Sequence, residues 1–229
     1  MSNPSTALVI GASRGLGLAL AEEYLQRGWR VFATERTPSA GLAALSAHYP
    51  ASLEIASADI RDGASVAALR ERFDGQVVDV LFVNAGICLA NHDTAATAHD
   101  ADFVDMMLTN ALGPVRAIEL LEGLVPAKGV IAVMSSGLGS ITNNEGFWPL
   151  YSASKAALNM LMKGFAGARS GDPRAMLLIA PGWVRTDMGG SSAPLSIEQS
   201  VPLVVDTVDR NRGHAGLRYV DRHNQGLPW

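Results

Sequence analysis

Tyr151 and Lys155 stand four residues apart in the run Tyr151-Ser152-Ala153-Ser154-Lys155. On a helix that spacing puts both side chains on one face, one above the other. A phenol titrates at about 10 and is a poor proton donor or base at neutral pH. A nearby ammonium stabilises the phenolate and brings the group toward working range. The same spacing also describes an ordinary surface pair, so its weight depends on its neighbours. Ser135 and Ser136 close an apolar run. A hydroxyl there either orients a carbonyl oxygen or merely satisfies strand-end backbone groups. Asn110 interrupts a long helical stretch just before Gly113-Pro114. Asparagine is a mediocre helix former, so it marks either a functional bend or a plain solvated position.

A second chemistry is written at the start of the chain. Ala7-Leu8-Val9-Ile10 runs straight into Gly11-Ala12-Ser13-Arg14-Gly15-Leu16-Gly17, followed by an amphipathic stretch. A glycine-rich strand-to-helix turn lets backbone amides approach a pyrophosphate at the positive end of a helix dipole. The spacing is Gly-xxx-Gly-x-Gly rather than the commonest dinucleotide fingerprint. The next apolar run ends in Thr34-Glu35-Arg36. A carboxylate there accepts a ribose 2′-hydroxyl and repels a 2′-phosphate, whereas guanidinium pairs with the phosphate. Glu35 therefore favours NAD, and Arg14 and Arg36 favour NADP. Two guanidinium groups against one carboxylate lean the expectation to NADP(H).

These groups need a scaffold, and the pattern supplies one. Apolar runs at residues 7–10, 30–34, 53–56, 77–83, 130–134, 176–180 and, more weakly, 217–220 alternate with helical segments. The helical segments fall at 16–27, 40–48, 64–73, 101–124, 150–169 and 197–210, the last with Ser196 as its N-cap. Such alternation predicts an α/β fold: one doubly wound (Rossmann) domain over residues 1–229, its seven-stranded, mostly parallel sheet covered by helices on both faces. In such folds ligands bind beyond the carboxyl ends of the strands, where Asn84-Ala85-Gly86 and the Ser135-Ser136 pair also fall.

Composition removes several alternatives. With 17% charged residues and a net charge of −4, the chain lacks the basic clustering of a nucleic-acid binder. No apolar run is long enough to span a membrane, and residues 1–6 are too short and polar for a secretory signal. Cys88 is the single cysteine, so no intrachain disulfide forms, which fits a reducing, cytoplasmic compartment. His92, His99, His214 and His223 show no metal-ligand spacing, and no metal is expected.

In order and spacing, the glycine loop, Asp59, Asn84-Ala85-Gly86, Asn110, Ser135-Ser136, Tyr151-xxx-Lys155 and Pro181-Gly182-Trp183-Val184-Arg185-Thr186 resemble the short-chain dehydrogenase/reductase family. Within it, the C-factor and Sniffer-like carbonyl reductase group is the most similar, through residues 181–190 and the ending Gly226-Leu227-Pro228-Trp229. The resemblance implies an NAD(P)(H)-dependent oxidoreductase of carbonyl or alcohol compounds with a catalytic set of Asn110, Ser136, Tyr151 and Lys155. Tyr151 would exchange a proton with the substrate oxygen, and Ser136 would hydrogen-bond that oxygen. Lys155 would bind the nicotinamide ribose and lower the Tyr151 pKa, and Asn110 would hold a water that links Lys155 to solvent. The cofactor would further meet Gly11, Ser13, Arg14, Gly15, Leu16 and Gly17, then Glu35 and Arg36. Asp59 and Ile60 would flank adenine, Asn84, Ala85 and Gly86 the ribose, and Pro181, Gly182, Val184 and Thr186 the nicotinamide. Ile10 stands where many members carry threonine, which removes a side-chain hydrogen bond from the loop. The family often pairs as a homodimer or homotetramer. A C-factor-type signalling or sensor protein with little turnover is the alternative function.

On the substrate side, residues 187–195 are short and rich in glycine and serine, which predicts a mobile, open flap. Phe147, Trp148 and Pro149 could form an apolar wall for a ketone, or equally pack the base of their loop. Cys88 reads as a small buried hydrophobe.

Overall fold

The computed structural model describes residues 4–229. Seven strands form one sheet: β1 Thr6–Ile10, β2 Arg30–Glu35, β3 Leu53–Ser57, β4 Val80–Val83, β5 Val130–Met134, β6 Ala175–Ala180 and β7 Gly216–Asp221. Their order is β3-β2-β1-β4-β5-β6-β7, and every neighbouring pair is parallel. The seven-stranded, mostly parallel sheet expected from the sequence is present, with all six neighbouring pairs parallel. Strands β1, β4 and β5 are buried on both faces and, apart from Thr6 at the start of β1, are apolar.

Alternation along each strand divides the core in two. Leu8 and Ile10 join Phe32, Leu81 and Ile131 on one face, under α3 Gly63–Arg72, α5 Gly113–Leu121 and α6 Pro149–Ala168. Ala7 and Val9 join Val31, Phe82 and Leu177 on the other, under α1 Gly15–Gln26, α2 Ala40–His48 and α7 Ile197–Arg210. The chain reverses its winding between β1 and β4, so their carboxyl ends open a crevice for ligands.

Three sequence expectations change. The apolar run at 77–83 contributes only Val80–Val83 to the sheet. Val77 is exposed, and the Val78 amide bonds to Leu124 O outside the ladder. The helix expected over 101–124 is broken: α4 Asp100–Met107 passes into a π turn, Leu108–Leu112, before α5 and a final 3₁₀ turn at Glu122–Leu124. A π turn carries one extra residue and sets the side chains beyond it on a new register. The third change concerns residues 187–195, which are folded back rather than open. Val184 bridges Leu195, the Arg185 guanidinium donates to Ala193 O and Pro194 O, and the Trp183 indole donates to Gly189 O at 2.8 Å. Ser196 caps α7 as expected, in a reciprocal box with Gln199.

Candidate active site

Four strand ends build the site. Tyr151 and Lys155 lie in the first turns of α6, beside the carboxyl end of β5, and both are buried, at 8% and 3% exposed. That excludes the reading of a surface pair. The Lys155 ammonium donates to Met134 O at 2.9 Å and sits 5.7 Å from the Tyr151 ring centroid. Desolvation lowers Lys155 from 10.5 to about 8, against a smaller upward pull from the Cys88 thiol.

Tyr151 moves opposite to the sequence expectation. Burial holds the phenol above its ordinary range, Cys88 adds to the rise, and the Ser136 hydroxyl pulls the other way. Lys155 is not among the groups that move Tyr151, and its ammonium is hydrogen-bonded to Met134 O. A phenol so held stays protonated at neutral pH, in its acid form.

Asn110 sits in the π turn, fully buried. Its amide donates to Ile87 O at 2.8 Å and to Ser154 Oγ at 2.9 Å, and its carbonyl accepts from Ile87 N at 2.8 Å. Ser154 in turn donates to Tyr151 O at 2.7 Å. Asn110 thus ties the turn after β4 to the start of α6. A Cβ placed on Gly86 would lie 3.3 Å from Asn110 Oδ1 and 3.6 Å from Lys155 Nζ. The missing side chain keeps the space between these two groups open.

The two serines separate cleanly. Ser135 is buried and donates to Asn159 Oδ1 at 2.7 Å, while Asn159 donates to Gly139 O at 3.1 Å. Ser136 is less buried; its oxygen accepts the Leu138 amide at 3.2 Å, and its hydroxyl lies within hydrogen-bonding reach of the Tyr151 phenol. The Ser136 main-chain carbonyl accepts from the Tyr219 hydroxyl on β7. Asn159 and Tyr219 went unnoticed in the sequence. Asn159 could have been found, since it repeats the Tyr151–Lys155 spacing once more on the same buried helix face.

The glycine loop fits a dinucleotide phosphate. Gly11 has φ +83°, and a Cβ there would meet Ala85 Cα at 2.7 Å. A Cβ on Gly17 would lie 2.1 Å from Gly11 O and 2.5 Å from Asn84 Nδ2. Asn84 itself donates to Gly11 O at 2.9 Å, locking the ends of β1 and β4 together. No side chain caps the first turn of α1, so its amides remain available to an anion. Ser13, Arg14 and Gly15 line one side of a cleft of about 700 Å³, and Thr186, Asp187 and Gly190 line the other. Leu16 packs into the core below.

The remaining residues take varied positions. Glu35 accepts the Ser39 amide at 2.8 Å, where the chain enters α2. Arg36 is exposed, and Arg14 pairs with Asp187 across the cleft at 2.9 Å, both largely exposed. Asp59 accepts the Arg61 amide at 2.9 Å, and Ile60 is buried beside it. Pro181 O accepts the Ser200 hydroxyl at 2.8 Å, Gly182 has φ +87°, Val184 is buried, and Thr186 accepts the Gly189 amide at 3.1 Å. Cys88 is half-buried in the apolar group around Tyr151, its thiol pushed up to about 11 by burial. Ala85 packs against the core beneath the crevice.

A family model described as short chain dehydrogenase matches residues 5–194. A crystal structure described as a short-chain dehydrogenase/reductase from Burkholderia multivorans with bound NADP is 49% identical, covers 99% of this chain and 100% of its own, and superposes with a TM-score of 0.97. The carbonyl reductase Sniffer of D. melanogaster is 29% identical with full coverage of both chains and a TM-score of 0.88. C-signal of Myxococcus xanthus is 36% identical over 159 residues, covering 66% of this chain and 93% of its own length.

Proposed function

The chain belongs to the short-chain dehydrogenase family and is an NAD(P)(H)-dependent oxidoreductase of C=O and CH–OH groups, and we propose that Tyr151 is its proton donor and acceptor. The observation that carries this is the buried Tyr151 hydroxyl set beside the Ser136 hydroxyl at the carboxyl end of β5, one helical turn from the buried Lys155 ammonium. In the direction of reduction, Tyr151 donates its proton to the carbonyl oxygen while Ser136 hydrogen-bonds the same oxygen. Once released from Met134 O, the Lys155 ammonium would hold the nicotinamide ribose and stabilise the phenolate as it forms. Asn110 braces the start of α6, and its spare acceptor lone pair would hold a water on the path from Lys155 to solvent.

A bound nicotinamide supplies or takes the hydride. Gly11, Ser13, Gly15, Leu16 and Gly17 would hold its pyrophosphate at the amino end of α1. Asp59 and Ile60 would flank the adenine, and Asn84, Ala85 and Gly86 the ribose. Pro181, Gly182, Val184 and Thr186 would meet the carboxamide. Arg14 and Arg36, two guanidinium groups against the single Glu35 carboxylate, support NADP(H), and the Ser39 amide holds that carboxylate at the entry to α2. NADP bound to the Burkholderia multivorans relative supports the same preference.

The test is turnover of a carbonyl panel with NADPH and NADH. Tyr151→Phe should lose at least 100-fold in kcat while keeping cofactor affinity. Undiminished turnover would remove Tyr151 from the mechanism. Likeness to C-signal favours a signalling role as the second reading. Cofactor binding with no turnover on a broad panel would support it. Exposed Val104 and Leu120 with Met160 and Leu161 support self-pairing through α4–α6. Sedimentation of Met160→Glu as a smaller species than the parent checks that assembly.

A further inference from the structure

Three aromatic side chains from two separate segments form one cluster that meets the Tyr151 ring through Trp148. Phe147 and Trp148 precede α6, and Trp183 follows β6. The Phe147 and Trp148 rings stack at 5.0 Å, and the Trp183 ring stands edge-on to both, at 5.9 and 6.4 Å. Trp148 meets the Tyr151 ring at 6.0 Å in a T-shaped contact. Despite this clustering, Phe147 is 47% exposed and Trp183 41% exposed, so their outer faces are not consumed by internal packing.

The placement of these rings is enforced. Trp148 has φ +46°, in the left-handed region that bulky residues avoid, and it precedes a proline, which restricts it further. Strain of that kind persists only where the surroundings over-determine it and clusters at functional sites. Here the fasteners are explicit. Trp148 O accepts the Ser152 amide at 2.9 Å, and the buried Ser152 hydroxyl donates to Phe147 O at 2.8 Å. The single polar atom of the Trp183 ring is satisfied internally by Gly189 O. The hydrophobic side chains packed with Tyr151 include Cys88, Met106, Leu138 and Leu150, and the polar groups beside it, Lys155 and Ser136, are those the reaction itself would use.

Resting on the oxidoreductase reading above, we propose that Phe147, Trp148 and Trp183 form an aromatic subsite that selects neutral compounds whose carbonyl is attached to a planar aromatic ring. The exposed ring faces offer offset or edge-to-face contacts to such a ring. The three rings themselves carry no charge, and the cation beside Tyr151 is Lys155, which the cofactor ribose would engage, so an anionic substrate group against the rings would go unpaired. Position completes the argument, because the cluster that offers these faces is joined to the Tyr151 ring by Trp148, at 6.0 Å.

The experiment compares 2-acetylnaphthalene with 2-acetyldecalin, its saturated counterpart. Affinity is read by quenching of tryptophan emission or by equilibrium dialysis on the cofactor-saturated protein, and KM is read by turnover. The parent should bind the aryl ketone at least tenfold more tightly. Phe147→Leu and Trp183→Leu should each shrink that ratio about two- to tenfold, the value of one aromatic pair. Equal affinity of the parent for the two ketones, or binding of neither, overturns the subsite whatever the variants do. Variants that weaken both ketones alike overturn it as well. Tyr151→Phe separates this proposal from the reading beneath it: it should retain the aryl preference in binding while losing turnover. Retained turnover in that variant sinks the Tyr151 assignment and leaves the subsite standing.

Discussion

Replacing Lys155 with methionine should make the cofactor-free protein more stable at neutral pH while abolishing its chemistry. The ammonium is 3% exposed, and burial lowers its pKa from 10.5 to about 8. A lowered lysine weakens the folded state wherever the unfolded chain binds the proton more tightly. That penalty is fully present below pH 8 and is relieved as pH rises from 8 to 10.5. Its size follows from the shift, about 3 kcal/mol. Methionine keeps the apolar stem but forfeits the bond to Met134 O, a loss of about 1 kcal/mol. The net gain at pH 7 is about 2 kcal/mol, which for a chain of this size raises Tm by about 4–8 °C. Thermal melts followed by circular dichroism, run side by side from pH 7 to 10.5, measure it. The gap should narrow above pH 8 and change sign before pH 10.5, where only the lost hydrogen bond remains. A variant that melts no higher than the parent at pH 7, or a gap that widens with pH, refutes the reasoning. The inference would then be that Lys155 is better solvated or better paired than its burial implies.

Gly17→Ala should lower NADPH affinity at least 100-fold, because the new Cβ would lie 2.1 Å from Gly11 O, a backbone atom that cannot yield without opening the loop. Isothermal titration with a melt to confirm folding checks it. Glu35→Ala should tighten NADPH about threefold to tenfold and leave NADH within about twofold, since it removes a like charge from the 2′-phosphate end. Fluorescence titration of both cofactors decides, and a selective loss of NADPH affinity would reverse the assignment of Glu35. Tyr219→Phe removes the hydroxyl that holds Ser136 O. It should lower kcat about tenfold with KM little changed, and destabilise by about 1 kcal/mol, as expected of a residue that positions Ser136 without touching substrate. An unchanged kcat would reduce Tyr219 to a packing role.

Much of this architecture is readable before any coordinates. The bounds of α2 and α7 fall where the periodicity puts them, because Ser39 and Ser196 cap them with their own side chains. The glycine loop and the Tyr151–Lys155 spacing are local patterns, and local patterns survive folding. The failures share a cause. Whether Lys155 lowers Tyr151 depends on where its ammonium points, and Met134 O, twenty-one positions away, decides that. Tyr219 reaches Ser136 only through the register of β7 on β6, in which Tyr219 stands opposite Leu178. The flap at 187–195 has a flexible composition, yet the Trp183 indole and the Arg185 guanidinium donate to its carbonyls and fold it. Asn110 was visible as an anomaly in a helix, and the anomaly proved to be the π turn itself.

That turn makes the site fragile in a way that substitutions would not reveal. Leu108–Leu112 holds one residue more than an α-helix needs there. Deleting a single residue from it would let the helix close with ordinary geometry. Side chains on one side of the deletion would then rotate by about 100° relative to the other. Either Asn110 leaves Ile87 and Ser154, or the apolar face of α5 leaves the core. A length change of one residue here is therefore a stronger perturbation than most point changes nearby, and related chains of different length in this segment should have rebuilt the contact that Asn110 makes here.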